Sequence, residues 1–354
     1  MKIKLAILES DKAYLSRLES VFNTKYADKL EIYAFTNKKT AYDFLKSNKV
    51  NVFLAESSFE IDRENLPESC GFAYLVESAD IESLRNERAV NKFQRVDMIY
   101  KYILDVFAET ATEITGMSMV AGEGCKALAF LSASGGTGSS TAAAACAIRF
   151  TQMGKKVLYL NLEQFGSADV FFMGEGTGNF GDIIYAIKSK KGNLSMKLES
   201  TVKKDASGVY FYSATPIALD MAELSSDEIR HLIMNIRMNG GYEYVVLDMD
   251  FSLEKSELDV LRECNEIVLV NDGSQSSNVK LDRVIASVKI LEEQNEWNLF
   301  SRFNILYNRF SSRTSQKIEI PDVRELGGIN RFEGYEVKAL LRQLADRTEF
   351  DKLL

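Results

Sequence analysis

The stretch Ser134-Gly135-Gly136-Thr137-Gly138-Ser139-Ser140 sets three glycines among four hydroxyl side chains. Such a run suits phosphate. Glycines let the backbone curl until successive N–H groups face one anion, and a helix starting behind them adds its partial positive charge. The surroundings fit, because the apolar run Ala127–Leu131 leads in and the helix-forming run Thr141–Ile148 leads out. Strand, glycine turn and helix is the context a phosphate loop requires. Ser140 or Thr141 stands where a hydroxyl ligates Mg²⁺, yet the position before it, ordinarily lysine, is Ser139. A cradle without its cation is expected to hold a nucleotide better than it hydrolyses one. On these residues alone, a Ser/Gly turn that merely starts a helix is the competing reading.

A second piece of chemistry follows at Tyr244–Asp248, an apolar strand ending in a carboxylate. Asp248 there would face the loop and hold a metal through water. Other chemistries are excluded by composition. His231 is the only histidine, and it lies in a polar helical stretch, so His-based triads and multi-His metal sites are not expected. Cys70, Cys125, Cys146 and Cys264 show no paired spacing and read as reduced, buried thiols. A net charge of −8 argues against nucleic-acid binding by bulk electrostatics. Lys188, Lys190, Lys191, Lys197, Lys203 and Lys204 form a basic run, read as a solvated face or loop or as a small anionic-lipid or partner patch. The N-terminus has no signal-peptide pattern, and no apolar run approaches the ~20 residues of a membrane span. A cytoplasmic protein is expected, with any membrane contact peripheral.

The 354 residues are enough for two domains, and 46% hydrophobic with 27% charged content is ordinary for a globular chain. Both halves alternate strands with helices, which predicts α/β architecture: two doubly wound parallel-sheet domains. Domain boundaries are expected at 1–113, a glycine-containing linker at 114–124, and 125–354. In the first domain, strands are expected at Lys4–Leu8, Leu30–Ala34, Val52–Ala55, Phe72–Val76 and Arg88–Val90. Helices follow the first two (Tyr14, Leu18, Val21 and Phe22 on one face; Thr40–Leu45), and Val96–Phe107 closes the set. In the second, strands at Lys155–Leu160, Tyr244–Asp248, Glu266–Val270 and Asn304–Phe310 follow the loop helix. A helix is expected over Leu281–Leu291, and a docked core helix over Val337–Leu354 in preference to a membrane helix, because its charges are mixed.

The glycine loop resembles the deviant Walker A loop of the MinD/ParA family, Lys-Gly-Gly-x-x-Lys-Ser/Thr. Gly135, Gly136, Gly138, Ser140 and Thr141 match it, while Ser134 replaces the signature lysine and Ser139 the ordinary one. The resemblance implies that Gly135, Gly136, Thr137, Gly138, Ser139, Ser140 and Thr141 bind ATP, with Ser140 and, through water, Asp248 on Mg²⁺. It implies that Asn308, in the strand-end pair Asn308-Arg309, reads the adenine edge and that Pro321-Asp322 flanks the base. Asn161-Leu162-Glu163 stands where the family has Asp-x-Asp in its first switch, a further departure in the direction of lost catalysis. With Ser134, Ser139, Asn161 and Glu163 at the degraded positions, at most a slow ATPase is expected.

The first domain resembles a response-regulator receiver. Glu9, Ser10 and Asp11 stand at the acidic cluster, Glu56 at the phosphoacceptor position, and Lys92, followed by Phe93 rather than proline, at the receiver's lysine. Glutamate at 56 implies a pseudo-receiver used for docking or dimerisation. A receiver-like domain ahead of a degraded deviant-Walker ATPase resembles TadZ/CpaE proteins of tight-adherence (Flp, type IVb) pilus machinery. That implies a homodimer with pilus or secretion proteins as partners, at the cell pole or inner membrane face. The alternative reading is an active MinD/ParA-type ATPase that positions plasmids or division proteins.

Overall fold

A computed structural model describes residues 2–110, 124–190 and 193–354. These divide into two compact units. One holds the N-terminal residues together with Tyr185–Thr201, and the larger holds the rest of the chain from Gly124 onward. The expected linker, Gly124 apart, lies outside the described residues.

The first unit runs β1 (Ile3–Leu8), α1 (Lys12–Lys25), β2 (Leu30–Phe35), α2 (Lys38–Ser47), β3 (Val52–Glu56), β4 (Gly71–Val76), β5 (Ser83–Leu84), β6 (Glu87–Asn91) and α3 (Val96–Thr110). The sheet order is β2-β1-β3-β4-β6-β5, parallel except for the β5–β6 pair. Strand alternation sends side chains to opposite faces. Leu5 and Ile7 therefore join Leu15, Leu18 and Phe22 of α1 and Ile99 and Ile103 of α3. Ala6 and Leu8 join Ala41 and Leu45 of α2 on the other face. Val21 lies off that α1 face and is exposed. The winding is incomplete: a single 3₁₀ turn, Arg63–Asn65, lies between β3 and β4, and the β5 hairpin strand lies between β4 and β6.

The second half of the chain continues with β7 (Lys126–Leu131), α4 (Ser139–Gln152), β8 (Val157–Asn161), α5 (Ala168–Phe171), α6 (Phe180–Ser189), α7 (Leu194–Thr201), β9 (Lys203–Lys204), β10 (Tyr210–Phe211), α8 (Leu219–Ala222) and α9 (Ser226–Asn239). Then come β11 (Tyr244–Asp248), α10 (Lys255–Leu261), β12 (Glu266–Asn271), α11 (Gln275–Asn295), β13 (Phe303–Phe310), β14 (Arg324–Asn330) and α12 (Val337–Ala345). The sheet order is β14-β13-β12-β7-β11-β8-β10-β9, with only β9–β10 antiparallel. The strand that feeds the glycine loop thus lies between β12 and β11, in the interior of the sheet. Both sheets are mixed, each with one antiparallel edge pair on an otherwise parallel frame.

Helix α4 buries Ala142, Ala143, Ala144, Ala145, Cys146 and Ala147 almost completely, so small side chains let its backbone lie close to the sheet. Leu341, Leu344 and Ala345 of α12 share its core, and Arg149 holds Asp351 with two hydrogen bonds of 2.8 Å. The C-terminal helix is docked, and it ends at Ala345 before a 3₁₀ segment, Thr348–Leu353.

Helix α7 belongs by packing to the first unit. There Lys197 pairs with Asp105 of α3, Glu199 pairs with Lys29, and Met196 lies against the apolar cluster. Elsewhere Lys203 donates to Ser213 Oγ at 2.7 Å, so the basic run is not one solvated face. His231 is exposed on α9, and all four cysteines are buried and unbridged.

Candidate functional site

Register places the ends of three strands together, with Asp248 of β11 opposite Phe130 of β7 on one side and Asn161 of β8 on the other. The loop leaves β7 at that edge. Ser132 Oγ anchors its start, its one proton within reach of Val270 O (2.7 Å) and Ser134 O (2.9 Å) while it accepts from Ser134 N (3.1 Å). Gly136 (φ 81°) and Gly138 (φ 83°) take left-handed conformations, and Gly138 caps α4. Asn308 and Arg309 grip the loop from the end of β13. The Asn308 amide donates to Thr137 O (2.8 Å) and Gly138 O (3.4 Å), and Arg309 donates to Gly136 O (2.6 Å). With these carbonyls turned toward β13, the N–H groups of Gly135, Gly136, Thr137 and Gly138 meet no acceptor among the described residues. The hydroxyls of Ser134, Thr137 and Ser139 are buried without a hydrogen-bond partner. Free N–H groups and orphaned hydroxyls are what a phosphate chain would satisfy, so the residues present fit the group.

Below the loop, Ser140 Oγ donates to Glu163 Oε1 at 3.0 Å, which leaves its lone pairs for a cation. Asn161 joins the two carboxylates, its amide donating to Glu163 Oε2 (2.9 Å) and Asp248 Oδ2 (3.0 Å). Tyr159, wholly buried on β8, donates its hydroxyl to the same Asp248 oxygen at 2.6 Å. Ser167 supplies one more donor to Glu163 at 3.0 Å. Burial, with the Glu163 charge beside it, pushes Asp248 up to about 7, although Tyr159, Ser140 and Asn161 pull the other way. Ser140 and Asp248 are the residues that would hold Mg²⁺ arriving on a phosphate, the common mode for this ion. Asn161, an amide where an aspartate would add a third negative charge, suits a site that has lost its lysines.

Ser134, Ser139, Ser140, Asn161, Glu163, Asp248, Asn308 and Arg309 therefore converge on the loop, and Thr141 lies in the first turn of α4. Pro321 and Asp322 do not join them by any hydrogen bond among the described residues. They form an exposed turn ahead of β14 in which Val323 N donates to Ile320 O. Tyr159, Ser132 and Ser167 are the residues that sequence reasoning misses. A strand tyrosine reads as core until the β8–β11 register is known. Replacing Tyr159 by Phe should leave a buried Asp248 oxygen short of a donor and cost about 1–3 kcal/mol; denaturant unfolding of the two proteins measures it.

The receiver pocket is built at the equivalent edge of the first sheet. Glu9, fully buried, accepts from Asp11 N at 3.0 Å and lies 3.6 Å from the Lys92 ammonium. Lys92, also buried, reaches Glu77 at 3.1 Å. Glu56 accepts from both the N–H and the hydroxyl of Ser10. Burial pushes Glu9 up, and the Glu56 charge adds to this. Burial acts on Glu56 too, but the Ser10 donors outweigh it and hold that carboxylate below its usual range. Asp11 caps α1, accepting from Ala13 N (2.8 Å) and Tyr14 N (3.1 Å). Each carboxylate of the pocket thus has a structural partner.

Residues 1–108 match the family model described as TadZ-like, receiver domain. No curated protein matches the chain. Among solved structures it is similar to a ParA family ATPase from Chlorobium tepidum TLS, at 19% identity and a TM-score of 0.51 over 64% of this chain and 97% of that one. Further matches are MinD of Pyrococcus horikoshii OT3 complexed with Mg-ADP (17% identity, TM-score 0.45, 65% and 97% covered) and MinD of Aquifex aeolicus (15%, 0.46, 62% and 94%). The likeness is one of fold. Residues 1–108 are thus similar to a TadZ-like receiver domain and the chain also carries the fold of a ParA-type ATPase, an arrangement that matches a TadZ/CpaE-like protein.

Proposed function

We propose that the chain is an ATP–Mg²⁺-binding, dimerising scaffold for tight-adherence (Flp, type IVb) pilus assembly or secretion machinery, with little or no hydrolysis. The observation that carries this is a loop whose curl and free donors are kept while both lysine positions, Ser134 and Ser139, are hydroxyls. Backbone donors and Mg²⁺ hold phosphates in the ground state. Transfer needs cations where charge spreads in the transition state, and one such group is worth ~10³–10⁵ in rate. Asn161 cannot act as a base at the switch position.

An exposed apolar surface beside the site supports assembly. Phe165 and Val170 follow Glu163, and Ile217 and Leu219 follow Ala214, whose N–H is bound by Asp169. Exposed apolar clusters of this kind mark contact surfaces, and a closed two-fold dimer is the commonest symmetry. Partners then place the protein at the inner membrane face or pole; among the described residues no helix is long and apolar enough to cross a membrane.

Calorimetry with ATP and Mg²⁺, run beside a phosphate-release assay, should give binding without release on the scale of seconds. Release that fast refutes the scaffold reading. Sedimentation showing a monomer with and without ATP refutes the dimer.

A further inference from the structure

With both lysines of the loop replaced, a positive charge at the phosphates must come from another element, and one strand end delivers it. Asn308 and Arg309 are adjacent in β13 but differ in kind. Asn308 is buried and fixed on the loop by its amide. Arg309 is exposed, and its backbone takes a left-handed conformation (φ 55°) rare for a side chain of this size. That twist carries the guanidinium across to Gly136, where a single bond of 2.6 Å is its one hydrogen bond among the described residues. A guanidinium has five N–H donors in a planar fork, so most remain available beside the loop. Independent of Arg309, the loop also holds unpartnered hydroxyls on side chains that are more than nine-tenths buried, Thr137 at 1% and Ser134 at 8% exposure.

We propose that Arg309 is the phosphate-binding cation of this site, taking from β13 the role that the loop lysines have lost, with the hydroxyls of Ser134, Thr137 and Ser139 as neutral donors to the same polyphosphate. This rests on the nucleotide-binding reading above. A forked cation suits the terminal phosphates of a nucleoside di- or triphosphate, because two N–H groups meet two oxygens. Its bond to Gly136 O puts the guanidinium beside the glycine curl, where phosphates rather than base or sugar would lie. Affinity should therefore rise with phosphate number through Arg309.

The test compares AMP, ADP and ATP by calorimetry on the full chain and on two variants. Arg309→Asn removes the charge and keeps a residue that tolerates the left-handed backbone; Arg309→Lys keeps charge without the fork. In Arg309→Asn the preference for ATP over AMP should fall by about tenfold or more, the effect of one charge-assisted contact, while AMP affinity holds. Arg309→Lys should retain part of the preference. Equal weakening of AMP and ATP in Arg309→Asn, or an unchanged preference, overturns the proposal and leaves Arg309 as a clasp on Gly136. Failure of the native chain to bind ATP would instead remove the nucleotide reading, and this assignment with it.

Discussion

A Lys92→Met variant should lose about 3–5 kcal/mol of stability at neutral pH, the usual cost of breaking a buried ion pair by removing one partner. The receiver pocket makes that expectation specific. Glu9 is fully buried, Lys92 is the only cation within 4 Å of it among the described residues, and one Glu9 oxygen has no hydrogen-bond donor. Glu9 already sits above the usual carboxylate range because of burial and the nearby Glu56. A carboxyl raised in the folded state contributes stability below its unfolded pKa, and that contribution is lost as pH rises through the folded value. Removing Lys92 takes away a group that favours the charged form, so the folded value climbs and the loss at neutral pH deepens. Acid should reverse much of it by protonating Glu9. Denaturant unfolding at about pH 7.5 and about pH 5 tests both statements, and Glu9→Gln placed on top of Lys92→Met should recover part of the loss. A deficit under about 1 kcal/mol would place the pair in the class of solvated ion pairs, and one that grows toward acid would reverse the sign argued here.

The frame of both units is legible in the sequence because buried parallel strands are apolar runs with characteristic ends. Val52–Glu56 and Tyr244–Asp248 are written as apolar residues closed by a carboxylate, and both are strands as read. Other elements lack such a local signal. Strands β9 and β10 have two residues each, too few to show alternation. Strand β14 carries Gly327 and Gly328 in its middle and reads as loop, yet pairing with β13 makes it the sheet's edge. Helix α11 begins at Gln275, six residues before its apolar face, because Ser274 accepts from Ser277 N and caps it inside what reads as a Ser/Asn-rich loop. The packing of α7 on α3 depends on pairs nearly a hundred residues apart, such as Lys197 with Asp105, and no periodicity announces them.

The site divides along the same line. Loop glycines, the strand-end Asp248 and the serines at the lysine positions are visible because their meaning is local. The clamp is not, because it depends on which strand ends meet. Asn308, taken in sequence as a reader of the base, has its amide committed to Thr137 and Gly138 carbonyls in the fold. Only the acceptor end of that side chain is left for a base edge. The lost charges also make sense together only in space: Asn161 touches Glu163 and Asp248 at once, so the amide removes repulsion at the point where the lysines no longer offset it.

Gly138→Ala should lower ATP affinity by ~10²-fold or more while the chain stays folded, and Gly135→Ala should change it little. The contrast comes from the backbone and from Asn308. Gly138 holds φ 83° and ψ 36°, where a side chain costs about 1–2 kcal/mol. A Cβ built there lies 2.6 Å from the Asn308 amide nitrogen. Asn308 is buried with its amide held by the Thr137 carbonyl, so either that side chain gives up its bond or the loop opens. Either change breaks the 2.8 Å bond to Thr137 O and leaves a buried amide unpaired, a further cost of about 1–3 kcal/mol. Once the curl relaxes, the N–H groups no longer point at one anion, so the strain is paid out of nucleotide affinity. Gly135 has an ordinary φ and no heavy atom within 4 Å of its built Cβ, so the same methyl there meets nothing. Calorimetry on the two variants, with denaturant unfolding to confirm that both fold, separates loop geometry from side-chain bulk. Equal affinities would mean that ATP does not use the curl that Asn308 enforces, and the phosphate cradle would then have to be sought in another conformation of the loop.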